Sequence, residues 1–179
     1  LRGRGIGDAS HRALFTAGPE PGAVALLFAL FDLGVAAVPV SPRVPPEGRA
    51  AMLGVTAPST DLGAATDWGV APAGTADGSW LPCPPPPDDG REALVVFTSG
   101  SAGAPKAVCL SRRALVAGAT GSALNLGWRE EDRWLLCLPL DRIGGLSVLT
   151  SCLLARKTAG LLWDSGPREL RRALEGHRV

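Results

Sequence analysis

The sequence is short of several groups on which simple functional assignments rest. Of its 18 basic residues only Lys106 and Lys157 are lysines, the remainder being arginine, and 17 acidic residues bring the formal charge to +1. With no basic surplus to draw nucleic acid or anionic lipid toward it, polyanion binding as the main task is not expected. Histidine is confined to His11 and His177, and the four cysteines, Cys83, Cys109, Cys137 and Cys152, stand far apart with no CxxC pair. That spacing suits neither a zinc site nor a dense disulfide framework, so no metal site is expected and buried free thiols are. Long apolar runs are missing too. The longest, Ala23 to Phe31, ends at Asp32, well short of the roughly 20 residues that cross a bilayer, and no basic segment with a cleavage site opens the chain. A soluble, cytoplasmic chain with no membrane partner is the expectation. What is present is a hydrophobic content of 46% in 179 residues, enough for a folded core. The first residue is Leu1 rather than Met, and the residues before Val179 have the composition of a helix end, so a piece of a longer protein is expected.

Along the chain, Arg12 to Thr16 reads as a short strand and Gly18 to Pro21 as a breaker. Pro21 can open a helix, and Gly22 to Leu33 is apolar on nearly every face, which predicts a buried helix ending at Gly34. Val35 to Val40 reads as a buried strand, and Pro45 and Pro46 open a second helix to about Leu53. From about residue 55 to 90 the composition turns to Gly, Pro, Ala, Thr and Asp, closing on Pro82, Cys83 and Pro84 to Pro87. This is a polyproline II connector, with a ligand for an SH3-like domain as the alternative. Beyond it strands and helices alternate: strands at Ala93 to Phe97 and Ala107 to Leu110, a helix capped by Ser111 and reaching Leu126, a strand at Trp134 to Leu138, a helix at Ile143 to Ala155, a strand at Ala159 to Trp163 and a helix at Pro167 to Gly176. The pattern predicts an α/β fold, a largely parallel sheet with flanking helices.

One segment carries chemistry. Directly after an apolar strand comes Thr98, Ser99, Gly100, Ser101, Ala102, Gly103, Ala104, Pro105, Lys106. Hydroxyls, glycines that let the main chain approach an anion, and one cation are what a polyphosphate needs. A plain surface turn would not account for the strand before it and Pro-Lys after it. The familiar phosphate loop, GxxxxGK followed by Ser or Thr, does not fit, because Pro105 and Ala107 stand where the second glycine and the hydroxyl belong. A serine hydrolase elbow, GxSxG, would make Ser101 the nucleophile, but Ser99 occupies the first glycine position and the only bases are His11 and His177, at opposite ends of the sequence.

The segment VVFTSGSAGAPKAVCLSRRAL resembles the phosphate-binding signature of the adenylate-forming (AMP-binding) enzymes, the acyl-CoA synthetase and ligase superfamily, in which TSG, two hydroxyl residues, GxPK and an LSHR-like stretch follow in order. Upstream, the LG that closes a helix and the strand reading AAVPVSPRVPPE are similar to that family's opening α/β unit. Downstream, LCLPLDRIGGLSVLTSCLLARKTAGLL resembles its LPLFHIGGLS segment, closest to the o-succinylbenzoate-CoA ligase branch of menaquinone biosynthesis. The resemblance implies part of the N-terminal AMP-binding domain over residues 1–179, an ATP-dependent joining of a carboxylate to AMP, and transfer of the acyl group to coenzyme A. It implies ATP with Mg2+, a small-molecule carboxylate and CoA as partners. It also implies that Thr98, Ser99, Gly100, Ser101, Gly103 and Lys106 hold the β- and γ-phosphates, and that Arg142, Gly144 and Gly145 lie at the substrate.

Departures accompany the matches. Ala102 removes one hydroxyl, Ala107 replaces a glycine, and Asp141 and Arg142 stand where the family has an aromatic or small residue and a histidine. Arg142 has two open readings: recognition of a second carboxylate on an acidic acyl group, or local pairing with Asp141. No YGxTE-like or TGD-like stretch occurs, although the family places adenine and ribose contacts there. The resemblance therefore implies that the rest of the enzyme lies outside this chain and that the chain alone does not adenylate. A noncatalytic phosphate-binding or interaction module on the same scaffold is the rival, and the hydrolase a third reading.

Overall fold

Proline and glycine set the first crossover. In the computed structural model, which describes residues 6, 11–18, 20–57, 59–64, 90–98, 106–162 and 166–177, strand β1 (Arg12–Thr16) feeds helix α1 (Pro21–Leu33), whose first residue is the proline expected there. Gly34 ends the helix at φ 71°, and Val35 N–H donates to Leu30 O at 3.0 Å, closing a Schellman turn that starts β2 (Ala36–Val40). Helix α2 (Pro46–Val55), β3 (Ser59–Ala64), β4 (Glu92–Thr98), β5 (Lys106–Ser111), α3 (Arg112–Leu126), β6 (Arg133–Leu136), α4 (Ile143–Ala155), β7 (Thr158–Leu161) and α5 (Pro167–His177) follow. The Ser111 hydroxyl accepts from Ala114 N–H at 3.2 Å, the cap that sequence assigned to α3.

The main sheet has the order β3-β1-β2-β4-β5. Its first four strands run parallel, and β5 turns back antiparallel on β4 with Thr98 opposite Lys106. Strands β6 and β7 pair in parallel as a separate two-stranded sheet. The α/β class and the largely parallel sheet agree with expectation. The antiparallel edge follows from the short connection, since Thr98 and Lys106 lie too close in sequence for the dozen or so residues that a parallel crossover needs.

Both faces of the sheet are covered. On one face Phe15, Ala37, Leu94 and Val96 pack under Leu26, Leu27 and Leu30 of α1, together with Leu136, Leu146 and Leu149 from the β6 and α4 unit. On the other, Leu14, Val38, Val40, Val95 and Phe97 meet Met52 and Leu53 of α2. Burying a leucine of this kind contributes about 1.5–3 kcal/mol. Two ion pairs fasten the edges. Arg12 donates to Glu92 through Nε at 2.7 Å and a terminal nitrogen at 3.1 Å, reaching from β1 across β2 to β4. Arg49 of α2 grips the Asp61 carboxylate in β3 and donates to Thr16 Oγ1 at 3.0 Å. The Arg49 hydrogen bond is the main cause that holds the Asp61 carboxyl below its ordinary range.

Three expectations are corrected. The Gly/Pro-rich stretch from about residue 55 to 90 is not all connector, because β3 at Ser59–Ala64 pairs with β1 through a register shift. The polyproline run, Cys83 included, lies outside the described residues. The thiols are not uniformly buried: Cys152 is, Cys137 is half-buried, and Cys109 on the edge strand is exposed. Helix α1 is buried only along Ala23, Leu26, Leu27 and Leu30, with Phe28 and Phe31 left half-buried over a groove of about 320 Å³ that they share with α3 and α4.

Candidate functional site

In an open parallel sheet, ligands collect beyond the carboxyl ends of the strands, where adjacent crossovers diverge. Here the ladder between β2 and β4 has a single registered pair, Ala37 with Leu94. Past the ends of these two strands lies a cavity of about 420 Å³ lined by Ser41, Phe97 and Thr98, by Arg43, and by Asp141 and Arg142 ahead of α4. A second cavity of about 210 Å³ shares Ser41, Arg43, Pro139 and Asp141 with it and extends to Gly18 and Cys137.

Thr98 is the last residue of β4 and Lys106 the first of β5, and the two are cross-strand partners. Both are exposed, and Thr98 Oγ1 lies 3.5 Å from Lys106 O, at the outer limit of a hydrogen bond. The ends of the hydroxyl- and glycine-rich segment are thus held side by side at the carboxyl edge of the sheet. Ser99, Gly100, Ser101 and Gly103 lie outside the described residues. Among the described residues Lys106 makes no ion pair, which leaves its ammonium available to an anion.

Arg142 is the residue ahead of the first turn of α4, and its side chain is 57% exposed. Its Nε lies 3.6 Å from Asp141 Oδ2, close enough for attraction and too long for a good hydrogen bond. The arginine therefore pairs locally with its neighbour and still presents donors to the cavity. Gly145 has a packing reason of its own. A Cβ there would lie 2.3 Å from Pro139 O, so only glycine lets α4 sit against the 138–139 backbone; at Gly144 a Cβ would meet Leu138 Cδ1 at 3.1 Å. These glycines fix where α4 begins, and with it where Arg142 stands.

His11 lies just ahead of β1, at the amino edge of the sheet, whereas Thr98 ends the parallel strand β4 at the carboxyl edge. The strand rise of about 3.3 Å per residue keeps His11 far from Thr98. The His177 side chain and Ser101 are outside the described residues.

Arg43 is the site residue that sequence reading missed. The chain turns from Ser41 to Val44, with Val44 N–H donating to Ser41 O at 3.1 Å and Arg43 N–H to Ser41 Oγ at 3.2 Å. Pro42 is the second residue of this turn and Arg43 the third, an exposed residue that lines both cavities. A Ser-Pro turn directly after a buried strand was the available signal.

A family model described as "AMP-binding enzyme" matches residues 1–179. A 2-succinylbenzoate-CoA ligase of Bacillus cereus is 50% identical over 60 residues, which is 33% of this chain and 12% of that protein. The Bacillus cytotoxicus ligase of the same name is 49% identical over 55 residues, 31% and 11% of the two chains. Among solved structures, o-succinylbenzoate coenzyme A synthetase (MenE) from Bacillus subtilis in complex with AMP superposes with a TM-score of 0.84 at 23% identity, covering all of this chain and 50% of that one. A malonyl-CoA ligase bound to methylmalonyl-CoA and AMP gives 0.77 at 28% identity, covering 98% and 39%. The chain spans half or less of these solved relatives, and its curated matches cover about an eighth of the ligases concerned.

Proposed function

The chain belongs to the AMP-binding enzyme family, and from that premise we propose that it supplies the phosphate-gripping part of an ATP-dependent carboxylate-activating ligase. In the reaction proposed, a carboxylate oxygen attacks the α-phosphorus of ATP and pyrophosphate leaves. A thiol sulfur, that of coenzyme A, then attacks the acyl carbonyl and AMP departs with the bonding electrons. The protein's task in the first step is to align the two reactants and to neutralise the charge that builds on pyrophosphate.

The observation that carries this reading is the pairing of Thr98 with Lys106, the two ends of TSGSAGAPK, at the carboxyl edge of the sheet, with Thr98 in the lining of the 420 Å³ cavity. Lys106 brings a full charge to the β- and γ-phosphates. Thr98, Ser99 and Ser101 bring hydroxyl donors, and Gly100 and Gly103 free the main chain for close approach. Mg2+ enters with the nucleotide as a counter-charge to its phosphates. The acyl group takes the cavity beside Arg142, Gly144 and Gly145. The 2-succinylbenzoate-CoA ligases that match locally support an aromatic dicarboxylate as the acid, and thus a cytoplasmic menaquinone-type ligase. A binding module without chemistry is the second reading, favoured by Ala102 in the loop and by the Asp141–Arg142 pair.

Titration of the chain with ATP and Mg2+ while its melting temperature is followed tests the proposal. Saturation at about 100 times Kd stabilises the folded state by roughly 2.7 kcal/mol. Lys106→Ala is expected to remove most of that shift, and an unchanged ATP affinity would count heavily against the loop. Carboxylate-dependent pyrophosphate release from a longer polypeptide containing this chain separates the ligase from the binding module.

A further inference from the structure

The charged groups around the two cavities do not balance. Arg43 and Arg142 both line the larger cavity, and Asp141 is the one carboxylate among the described lining residues of either. Asp141 is committed to Arg142 at 3.6 Å. The guanidinium of Arg43 has no ion pair or hydrogen bond among the described residues; only its main-chain N–H is used, by Ser41. The cavity thus carries a surplus positive charge on a side chain whose base is held by a hydrogen-bonded turn containing Pro42. Positioned in that way, a guanidinium loses less freedom on binding than one on a mobile loop.

The rest of the lining decides what kind of anion fits. Val44, Pro45, Met52, Phe97 and Pro139 make the walls apolar. A polyphosphate, which needs donors on every side, gains nothing from such walls, whereas a hydrocarbon or aryl body does. We propose that Arg43 is a specificity-determining residue for the acyl substrate: its guanidinium holds the non-reacting carboxylate of a dicarboxylic acid whose apolar body lies between the turn at 41–44 and the start of α4, while the other carboxylate points toward Thr98. Arg142 flanks the same carboxylate. The planar fork of arginine suits this role, since it can meet both carboxylate oxygens at once. The inference rests on the ligase reading, which supplies the reacting carboxylate.

Calorimetric titration of the chain with 2-succinylbenzoate and with each of its monomethyl esters tests it, with the ATP melting shift measured on the same samples. The diacid is expected to bind about tenfold or more tightly than the ester that blocks the non-reacting carboxylate, the margin of a charge-assisted contact. Arg43→Gln is expected to bring the diacid down to the level of that ester and to leave both that ester's affinity and the ATP shift unchanged, and Arg43→Lys to restore part of the preference. Equal binding of the diacid and both esters by the wild-type chain, no binding of any of the three acids, or a preference over that ester that survives Arg43→Gln overturns the assignment. Loss of the ATP shift in the wild-type chain defeats the ligase reading instead, whatever the acids do.

Discussion

Helices α1 and α3 are of similar length and are built on different principles. Helix α1, at 13 residues, sinks Ala23, Leu26, Leu27 and Leu30 into the sheet and is closed at both ends by Pro21 and Gly34. Helix α3, at 15 residues, fully buries only Ala119 and leaves Leu124 84% and Leu126 65% exposed. Its shape is set locally, by the Ser111 cap and by its run alongside α4. It also carries Gly118 and Gly121 with open space where a Cβ would go. The first helix is held by what it buries, the second by its ends and its neighbour. A hydrophobic helix is thus no guide to a buried one unless a sheet face lies ready for it.

That contrast can be broken from the strong side first. Leu27→Ala in α1 is expected to cost about 2–5 kcal/mol, because the residue is wholly enclosed and the cavity left behind can collapse only in part; urea unfolding followed by circular dichroism measures it. A cost under about 1 kcal/mol would place α1 in the same class as α3. The next test sharpens the difference by repair. Gly118→Ala with Gly121→Ala is expected to stabilise α3 by roughly 0.5–1 kcal/mol for each substitution, since neither new methyl meets a neighbour and each removes backbone freedom from the unfolded chain; a lowered melting temperature would mean that α3 is packed more tightly than its exposure indicates. The smallest effect is expected from Leu124→Ala, within about 0.5 kcal/mol by the same unfolding measurement.

Elements whose limits are written in local chemistry were legible in the sequence. Helix α4 occupies the span from Ile143 to Ala155 that its apolar run and flanking residues mark out, and α3 starts at the serine expected to cap it. Strand β3 was hidden because its residues, Ser59 to Ala64, are small or polar apart from the buried Leu62. It exists by pairing with β1 and by the Arg49–Asp61 clamp, both of them tertiary, and strand preference follows such context more than composition. The division into two sheets was equally unreadable, since period and β-branching identify a strand and not its partner. The strands that flank TSGSAGAPK were legible to within a residue, β4 ending at Thr98 rather than Phe97 and β5 starting at Lys106 rather than Ala107. Arg43 was not, because it stands 55 residues before Thr98 and reaches the site only through the sheet order β2-β4.

Strand β5 has a consequence for how the chain behaves in company. It lies at one end of the sheet order, six residues long, with its ladder filled on the β4 side alone among the described residues. Lys106 is its only charge, and Val108 and Cys109 are exposed along it. An open row of N–H and C=O groups of this length is a template for a strand of another molecule. Self-association through β5 is therefore expected at high protein concentration, and because Lys106 opens that strand, the proposed phosphate loop and the open edge share a residue.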